Sequence, residues 1–396
     1  MAGAKSPASK RSRRRDSVTT LREKSQAHQP LVSVLLPVFN AEKFIKEALG
    51  SITAQTYDNL EILVIDDGST DKSMQVIKRF RDARIKIFED GTQRGVTYRL
   101  NQGLMSSKGK YIARMDADDV CSPFRIERQV SKMESDHELV VLGTQAAYID
   151  DIGQITGAPR ESPAEHRHIK LRLITSNCIL HPSVMLRAEV VRRHLYAAEF
   201  PLAQDFELWL RLITQGYCFA NLPDVLMLIR RHNSTSTSAR RSEQLTFAAN
   251  ALVSYLRSQY DLDVPYEIAR ALIEPPVLKN TLKSPDRRSP FSIIRDAAGR
   301  TLETYESAGR DDLLADQAIG DLIFFAMRYV SRSLFRRPTG YALRDVVGLR
   351  AASGEIVSRI PVALRLIARE LYSRRRLVKE GDRLKTASVW QRAQLL

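Results

Sequence analysis

The stretch Lys108-Gly109-Lys110-Tyr111-Ile112-Ala113-Arg114-Met115-Asp116-Ala117-Asp118-Asp119 decides how this chain reads. Tyr111–Met115 is a short, mostly apolar strand, and it runs straight into three carboxylates. Asp116 and Asp118 stand at i and i+2, a spacing that lets both face one Mg2+ or Mn2+. These hard cations take oxygen ligands and leave positions open for substrate phosphates. A lone D-x-D is a weak signal, because acidic turns are common. Its weight depends on what lies around it.

Upstream, Leu31-Val32-Ser33-Val34-Leu35-Leu36 reads as a buried strand ended by Pro37. Asn40 suits the N-cap of a following helix, with Glu42 in its first turn and Phe44, Ile45, Ala48, Leu49 and Ile52 at helical spacing. A second strand, Glu61–Ile65, enters Asp66-Asp67-Gly68-Ser69-Thr70, and a helix with Val76, Ile77 and Phe80 on one face follows. Arg84–Phe88 reads as a third strand and residues 97–106 as a helix. Strands alternating with helices predict parallel βαβ units in a doubly wound sheet. Ligands of such sheets bind beyond the carboxyl ends of the strands. Pro37–Glu42, Asp66–Thr70 and Asp116–Asp119 all occupy such ends.

Downstream, Val140–Gly143 and Ser183–Leu186 are further strand candidates, and residues 204–214 form an amphipathic helix with Phe206, Trp209, Leu210 and Ile213 inward. After the polar stretch Arg230–Ser238 the pattern turns helical, and it is Arg-rich beyond 330. The expected organisation is a disordered basic arm at 1–30, an α/β domain at 31–238 and a helical C-terminal region at 239–396.

Several acidic and basic residues carry two readings. Asp67 can accept a hydrogen bond from a nucleobase N–H or help cap the next helix, with Asp66 the structural member of the pair. Asp205, in the first turn of the 204–214 helix, is either an acid favoured by the helix dipole or a general base, the two evenly balanced. His232, in Arg230-Arg231-His232-Asn233-Ser234, reads first as a plain loop residue and second as a metal ligand or diphosphate contact. His181, before Pro182, reads as structural. Gly103 and Gly109-Lys110 enclose five residues, not the four of a P-loop, and no G-x-G-x-x-G follows a strand. No aromatic-interleaved basic patch speaks for RNA.

Of the 396 residues, 43% are hydrophobic and 27% charged, as in an ordinary globular protein. No apolar run approaches the roughly 18 residues of a membrane-spanning helix, and the basic start lacks the apolar core of a secretory signal. Cys121, Cys178 and Cys218 are widely spaced and odd in number, which suits a reducing cytoplasm. The net charge of +15 divides into +6 for residues 1–30, +10 for residues 331–396 and −1 between them. In the last segment Val362, Leu364, Ile367 and Leu371 interleave with Arg365, Arg369 and Arg374–Arg376. Such a stripe docks on an anionic membrane surface or packs on protein, the two being nearly even.

Across residues 31–238 the chain resembles the family 2 glycosyltransferases of the GT-A fold, bacterial surface-polysaccharide type. The resemblance rests on Val32–Glu42, Gln55-Thr56, Ile65–Asp71, Leu100-Asn101-Gln102-Gly103, Lys108–Asp119, His181–Met185 and Gln204–Leu212, in that order. It implies a nucleotide-sugar-binding α/β fold, with a mainly parallel sheet flanked by helices, and a helical extension behind it. It implies that Pro37, Phe39, Glu42 and Asp67 line the nucleotide pocket, that Asp116 contacts ribose or metal, that Asp118 binds metal and that Asp205 is the catalytic base. His232 matches the family's Arg-x-His-x-x-Ser segment, as a further metal-side residue. Gln204, where Glu is commoner, and Leu-Ile-Arg-Arg before His232 depart from the pattern.

The expected activity is inverting transfer of one sugar from a nucleotide-diphospho-sugar, with Mn2+ or Mg2+. The acceptor would be lipid-linked or a saccharide, and no nucleic acid is involved. The expected place is the cytoplasm, peripherally on the inner face of the membrane. The alternatives are a sugar nucleotidyltransferase, which should carry a Gly-rich loop where Pro37–Glu42 has no glycine, and a non-catalytic polyanion- or membrane-binding protein.

Overall fold

The computed structural model describes residues 29–231, apart from 158, 160 and 161, and residues 240–273. The basic arm before residue 29, His232, and the Arg-rich stretch with its apolar stripe lie outside the described residues.

Strand β1 (Val32–Val38) lies between β2 (Leu60–Asp66) and β4 (Tyr111–Arg114), with β3 (Ile85–Phe88) outside β2, all parallel. Near-continuous apolar sequence suits strands covered on both faces. Every residue of β2 is buried, and β3, at the edge, is half-exposed. Beyond β4 the sheet changes character. Strand β7 (Met185–Arg187) runs antiparallel to β4 and to β6 (Leu139–Ile149). Strand β8 (Cys218–Arg230) is parallel to β6, and β5 (Val120–Cys121) closes the edge antiparallel to β8. The sheet order is therefore β3-β2-β1-β4-β7-β6-β8-β5, a mixed sheet in which four of seven neighbouring pairs are parallel.

Alternation along β1 sorts side chains to two cores. Val34 and Leu36 join a cluster with α1 (Ile45–Thr53), α2 (Ser73–Ile77) and α4 (Arg125–Ser135). Leu35 joins the opposite cluster with α3 (Val96–Ser106), α5 (His166–Leu173), α6 (Ala188–Val191) and α7 (Gln204–Thr214). Helices α8 (Arg241–Tyr260) and α9 (Tyr266–Ile273) feed Leu252, Tyr255 and Ile268 into that same cluster, alongside Trp209 of α7. Gly109 can be only glycine: a Cβ there would sit 2.6 Å from the Ser33 nitrogen and 2.7 Å from the Tyr111 carbonyl oxygen.

Three local expectations need correction. Pro37 does not end β1, which continues to Val38. The Leu35 carbonyl accepts from Met115 on the β4 side and the Val38 carbonyl accepts from Asp67 on the β2 side. By alternation Pro37 faces the β4 side, beyond the end of β4, where its missing N–H costs no ladder bond. Asn40 does not cap α1. It sits in the left-handed region at φ 48°, and α1 starts after Phe44 with no side-chain cap. Strand β8, 13 residues long, was not anticipated, because Pro223-Asp224 interrupts its pattern. The ladder with β6 slips there, passing from Leu222 to Val225, and the strand continues. Among the described residues no helix is long and apolar enough to cross a membrane.

Candidate functional site

The loops after β1, β2 and β4 meet at one edge of the sheet. The first two are zipped together. The Asn40 carboxamide oxygen accepts from the Thr70 N–H at 2.9 Å, and the Asn40 N–H donates to the Ser69 hydroxyl at 3.1 Å. The Glu42 N–H donates to Asp71 at 3.0 Å, and the Glu42 carboxylate accepts from the Lys72 N–H at 2.9 Å. Phe39 stands out of this surface, 45% exposed, while Pro37 stays within β1. Glu42 is exposed and occupied by its backbone partner.

At the end of β2 two carboxylates are fully engaged. Asp66 accepts from the N–H groups of Gly68 and Ser69, closing the turn. Asp67 accepts from the Arg94 N–H at 2.7 Å, the Gly95 N–H at 3.0 Å and Arg99 Nε at 3.0 Å. The Arg99 side chain is wholly buried and also meets Asp90 and the Thr92 carbonyl. Asp67 thus organises the 90–95 loop that leads into α3. Gly68, at φ 76°, lets this turn lie against the backbone of Thr92 and Gln93.

The end of β4 differs. Ligand atoms of Asp116, Asp118 and Asp119 lie within 4.8 Å of one another. Asp116 takes both terminal nitrogens of Arg114, one of them at 2.8 Å. Asp119 is buried; its Oδ1 accepts from the Arg230 N–H at 2.9 Å, and its Oδ2 has no hydrogen-bond partner among the described residues. Burial pushes the Asp119 carboxyl well above its usual range, and the charges of Asp116 and Asp118 add to this. Burial raises Asp116 too, against the pull of Arg114. Three crowded acids with one unpartnered buried oxygen are what a divalent cation would relieve, so the residues present fit such a group.

Arg230, at the end of β8, ties the acidic loop down. Its Nε donates to the Asp118 carbonyl at 2.9 Å, Nη1 to the Asp150 carbonyl at 2.7 Å and Nη2 to Glu47 of α1 at 2.6 Å. Beneath the loop, buried Arg125 donates to the Arg114 carbonyl at 2.8 Å.

Asp205 is the second residue of α7, which starts after Ala203 at φ 65°. Its Oδ2 accepts from Asn177 Nδ2 at 2.8 Å. Burial pushes its carboxyl up, opposed by the Phe206 N–H, Arg114 and Asn177. The charge of Asp205 in turn raises Asp116, so the base candidate and the acidic loop share one field. His181 is buried, bonded through Nε2 to the Tyr196 hydroxyl at 2.8 Å, and burial keeps it neutral.

The structure therefore gathers Asp116, Asp118 and Asp205 around one edge, with Pro37 near the end of β1 and Phe39, Glu42 and Asp67 on the adjoining loops. Sequence reasoning passed over Arg99, Arg114, Asn177, Arg230 and Asp119's separate role. A cation inside an apolar strand, as at Arg114, is a readable signal of a buried partner; Asn177 and Arg230 gave none, since Asp205 lies 28 residues from Asn177 and the partners of Arg230 lie 80 or more residues away.

A family model described as Glycosyl transferase family 2 matches residues 33–195, which include all three strand ends. An uncharacterized glycosyltransferase of Haemophilus influenzae is 34% identical over 259 residues, covering 62% of this chain and 80% of that protein. The amylovoran biosynthesis glycosyltransferase AmsE of Erwinia amylovora is 30% identical over 264 residues, 64% of this chain and 90% of the relative. The UDP-Glc:alpha-D-GlcNAc-diphosphoundecaprenol beta-1,3-glucosyltransferase WfaP of Escherichia coli is 30% identical over 226 residues, 57% of this chain and 86% of the relative. With its acidic strand end inside the matched segment and a relative covered over four-fifths of its length, this chain is a GT-A enzyme that belongs to glycosyltransferase family 2.

Proposed function

We propose that this glycosyltransferase is metal-dependent and inverting, and moves one sugar from a nucleotide-diphospho-sugar to an acceptor hydroxyl in polysaccharide or glycolipid synthesis. The observation that carries the reading is the acidic cluster of Asp116, Asp118 and Asp119, with a buried oxygen that has no partner among the described residues, in the same field as Asp205. Asp116 and Asp118 would hold Mn2+ or Mg2+, with Asp119 adjoining and His232 a further candidate in sequence. When bound, the cation neutralises the diphosphate as the sugar–phosphate bond breaks. Pro37, Phe39, Glu42 and Asp67 line the nucleotide side. Arg114 holds the Asp116 carboxylate and Arg230 the Asp118 carbonyl, so the acidic loop is set before substrate arrives.

Asp205 accepts the proton of the acceptor hydroxyl while the oxygen attacks the anomeric carbon from the face opposite the diphosphate. The bond to the diphosphate oxygen breaks, its electron pair leaves with that oxygen, and the configuration inverts. A carboxyl raised by burial is the stronger base. The names of AmsE and WfaP support a polysaccharide or lipid-linked acceptor. The basic residues 331–396 would hold the enzyme on an anionic membrane face. Flotation on anionic liposomes of the full chain against residues 1–330 tests this, and equal indifference to the liposomes at low salt removes it.

A panel of UDP-glucose, UDP-N-acetylglucosamine, UDP-galactose and GDP-mannose with Mn2+, read by thermal shift and by nucleotide release, tests the donor and metal together. In the same assay Asp205→Asn keeps the size and removes the charge. It should cut turnover about 10²–10⁴-fold with nucleotide binding nearly intact. Near-normal turnover would leave Asp205 as a helix-dipole residue only.

A further inference from the structure

We infer that Asn177 is the positioning residue of the base, its amide group holding the Asp205 carboxylate in a single orientation. The inference rests on the reading of Asp205 as base and deepens it.

Asn177 Nδ2 donates to Asp205 Oδ2 at 2.8 Å. The other end of the same amide settles which atom faces the acid. Asn177 Oδ1 accepts from the Ile179 N–H at 3.2 Å. A flipped amide would set an oxygen against the carboxylate and an NH2 against an N–H, losing both bonds. The donor toward Asp205 is thus fixed by local backbone, not by a choice of rotamer.

The mount is rigid. Cys178 and Ile179, directly after Asn177, are buried in the core cluster that also contains α7. Two residues further on, the His181 ring meets Trp209 edge-on at 5.9 Å and bonds the Tyr196 hydroxyl at 2.8 Å. Trp209 lies one turn beyond Asp205 on α7. Tyr196 is latched through its own backbone, accepting from Asn101 Nδ2 at 2.8 Å and donating to Asn101 Oδ1 at 2.9 Å. The segment carrying Asn177 and the helix carrying Asp205 therefore share one packed support.

A carboxylate at a helix start can turn about its last torsion. General-base catalysis requires it to stay within about 10–20° of the productive direction. A donor from a separate element, anchored at both ends, supplies that restraint. It also occupies part of Oδ2, so the proton of the acceptor goes to lone pairs left on the same carboxylate.

The test is a double-mutant cycle on the full chain, using Mn2+ and the panel nucleotide-sugar that turns over fastest. Asn177→Ser keeps an oxygen for the Ile179 N–H but is too short to reach Asp205; Asn177→Ala removes both bonds. Each should lower kcat roughly 10–100-fold, as small misplacements of reacting groups do, with donor KM and nucleotide Kd within about twofold. In the Asp205→Asn background the same substitutions should change the residual turnover hardly at all, because nothing is left to orient. A merely structural role would give losses that multiply in the double variant, and that result overturns the inference. So does an Asn177→Ser enzyme with normal kcat beside an inactive Asp205→Asn enzyme, which leaves the base reading standing. Normal turnover in Asp205→Asn removes the base reading and this inference together.

Discussion

The ends of β2 and β4 present the same motif to opposite effect. Each strand is apolar and each delivers adjacent carboxylates to the same edge of the sheet. At β2 the chain supplies the compensating donors itself: Asp66 closes its own turn, and Asp67 meets two N–H groups and Arg99. At β4 the compensation stops short. Arg114 serves Asp116, but Asp119 keeps a buried oxygen with no partner among the described residues, and burial with mutual repulsion raises both acids. One acidic end is finished by folding; the other keeps a buried oxygen that no donor among the described residues meets.

Breaking the finished end should cost most in stability. Asp67→Ala leaves the Arg94 and Gly95 N–H groups without their acceptor and strips one partner from buried Arg99. A loss of about 3 kcal/mol is expected, which is roughly 6–12 °C in melting temperature by calorimetry. A variant that melts like the native protein would show that Asp90 alone holds Arg99.

At the unfinished end the expected loss is in binding. Asp118→Asn should weaken nucleotide-sugar affinity at least roughly tenfold in Mn2+, about 1.4 kcal/mol, and change it little in EDTA. Calorimetric titration of both proteins under both conditions decides this. Native affinity that is equal with and without metal would make the two acidic ends equivalent after all.

A smaller effect has the opposite sign. Asp119→Asn keeps an oxygen for the Arg230 N–H and removes one of three crowded charges. Without metal it should melt roughly 2–4 °C higher than the native protein, and its upward shift on adding Mn2+ should shrink. A lower melting point in the metal-free variant would contradict the crowding at β4.

The smallest effect is a pH dependence. A carboxyl raised in the folded state is protonated more readily there than in the unfolded chain. Its contribution to stability is present below the unfolded value, near 4, and is lost as pH rises through the folded value. The buried histidines oppose this: His166, held down to about 4 by burial, and His181, lowered likewise, favour the fold as pH rises toward 6.5. The clean measurement is therefore the difference between native protein and Asp119→Asn, followed by thermal melts from pH 4 upward without metal. The advantage of the variant should grow with pH, and a flat difference would remove the raised Asp119 from the account.

The parallel half of the sheet was legible because its signals are local. Leu31–Leu36, Glu61–Ile65 and Tyr111–Met115 are short, mostly apolar runs, and the first two are each followed by a turn and a helix at recognisable spacing. Helix α7 matched its expected limits, Gln204–Thr214, because Phe206, Trp209, Leu210 and Ile213 mark one face. The mixed half was less legible. Strand β8 holds Pro223-Asp224 in mid-run, and only the slip against β6 shows that the strand survives them. Asn40 read as a cap because its type suits one; its carboxamide instead reaches across 30 residues to Thr70.

By itself, the sequence determined the strand–helix alternation, the acidic residues at three strand ends and the candidate base in the first turn of a helix, since period and residue type are properties of short windows. Tertiary structure alone decided which acids meet a donor. Arg99 beneath Asp67, the Arg230 N–H on Asp119 and Asn177 on Asp205 are partners brought from distant segments. Whether a buried carboxylate is satisfied depends on those donors, and their approach is fixed by packing rather than by anything adjacent in the chain.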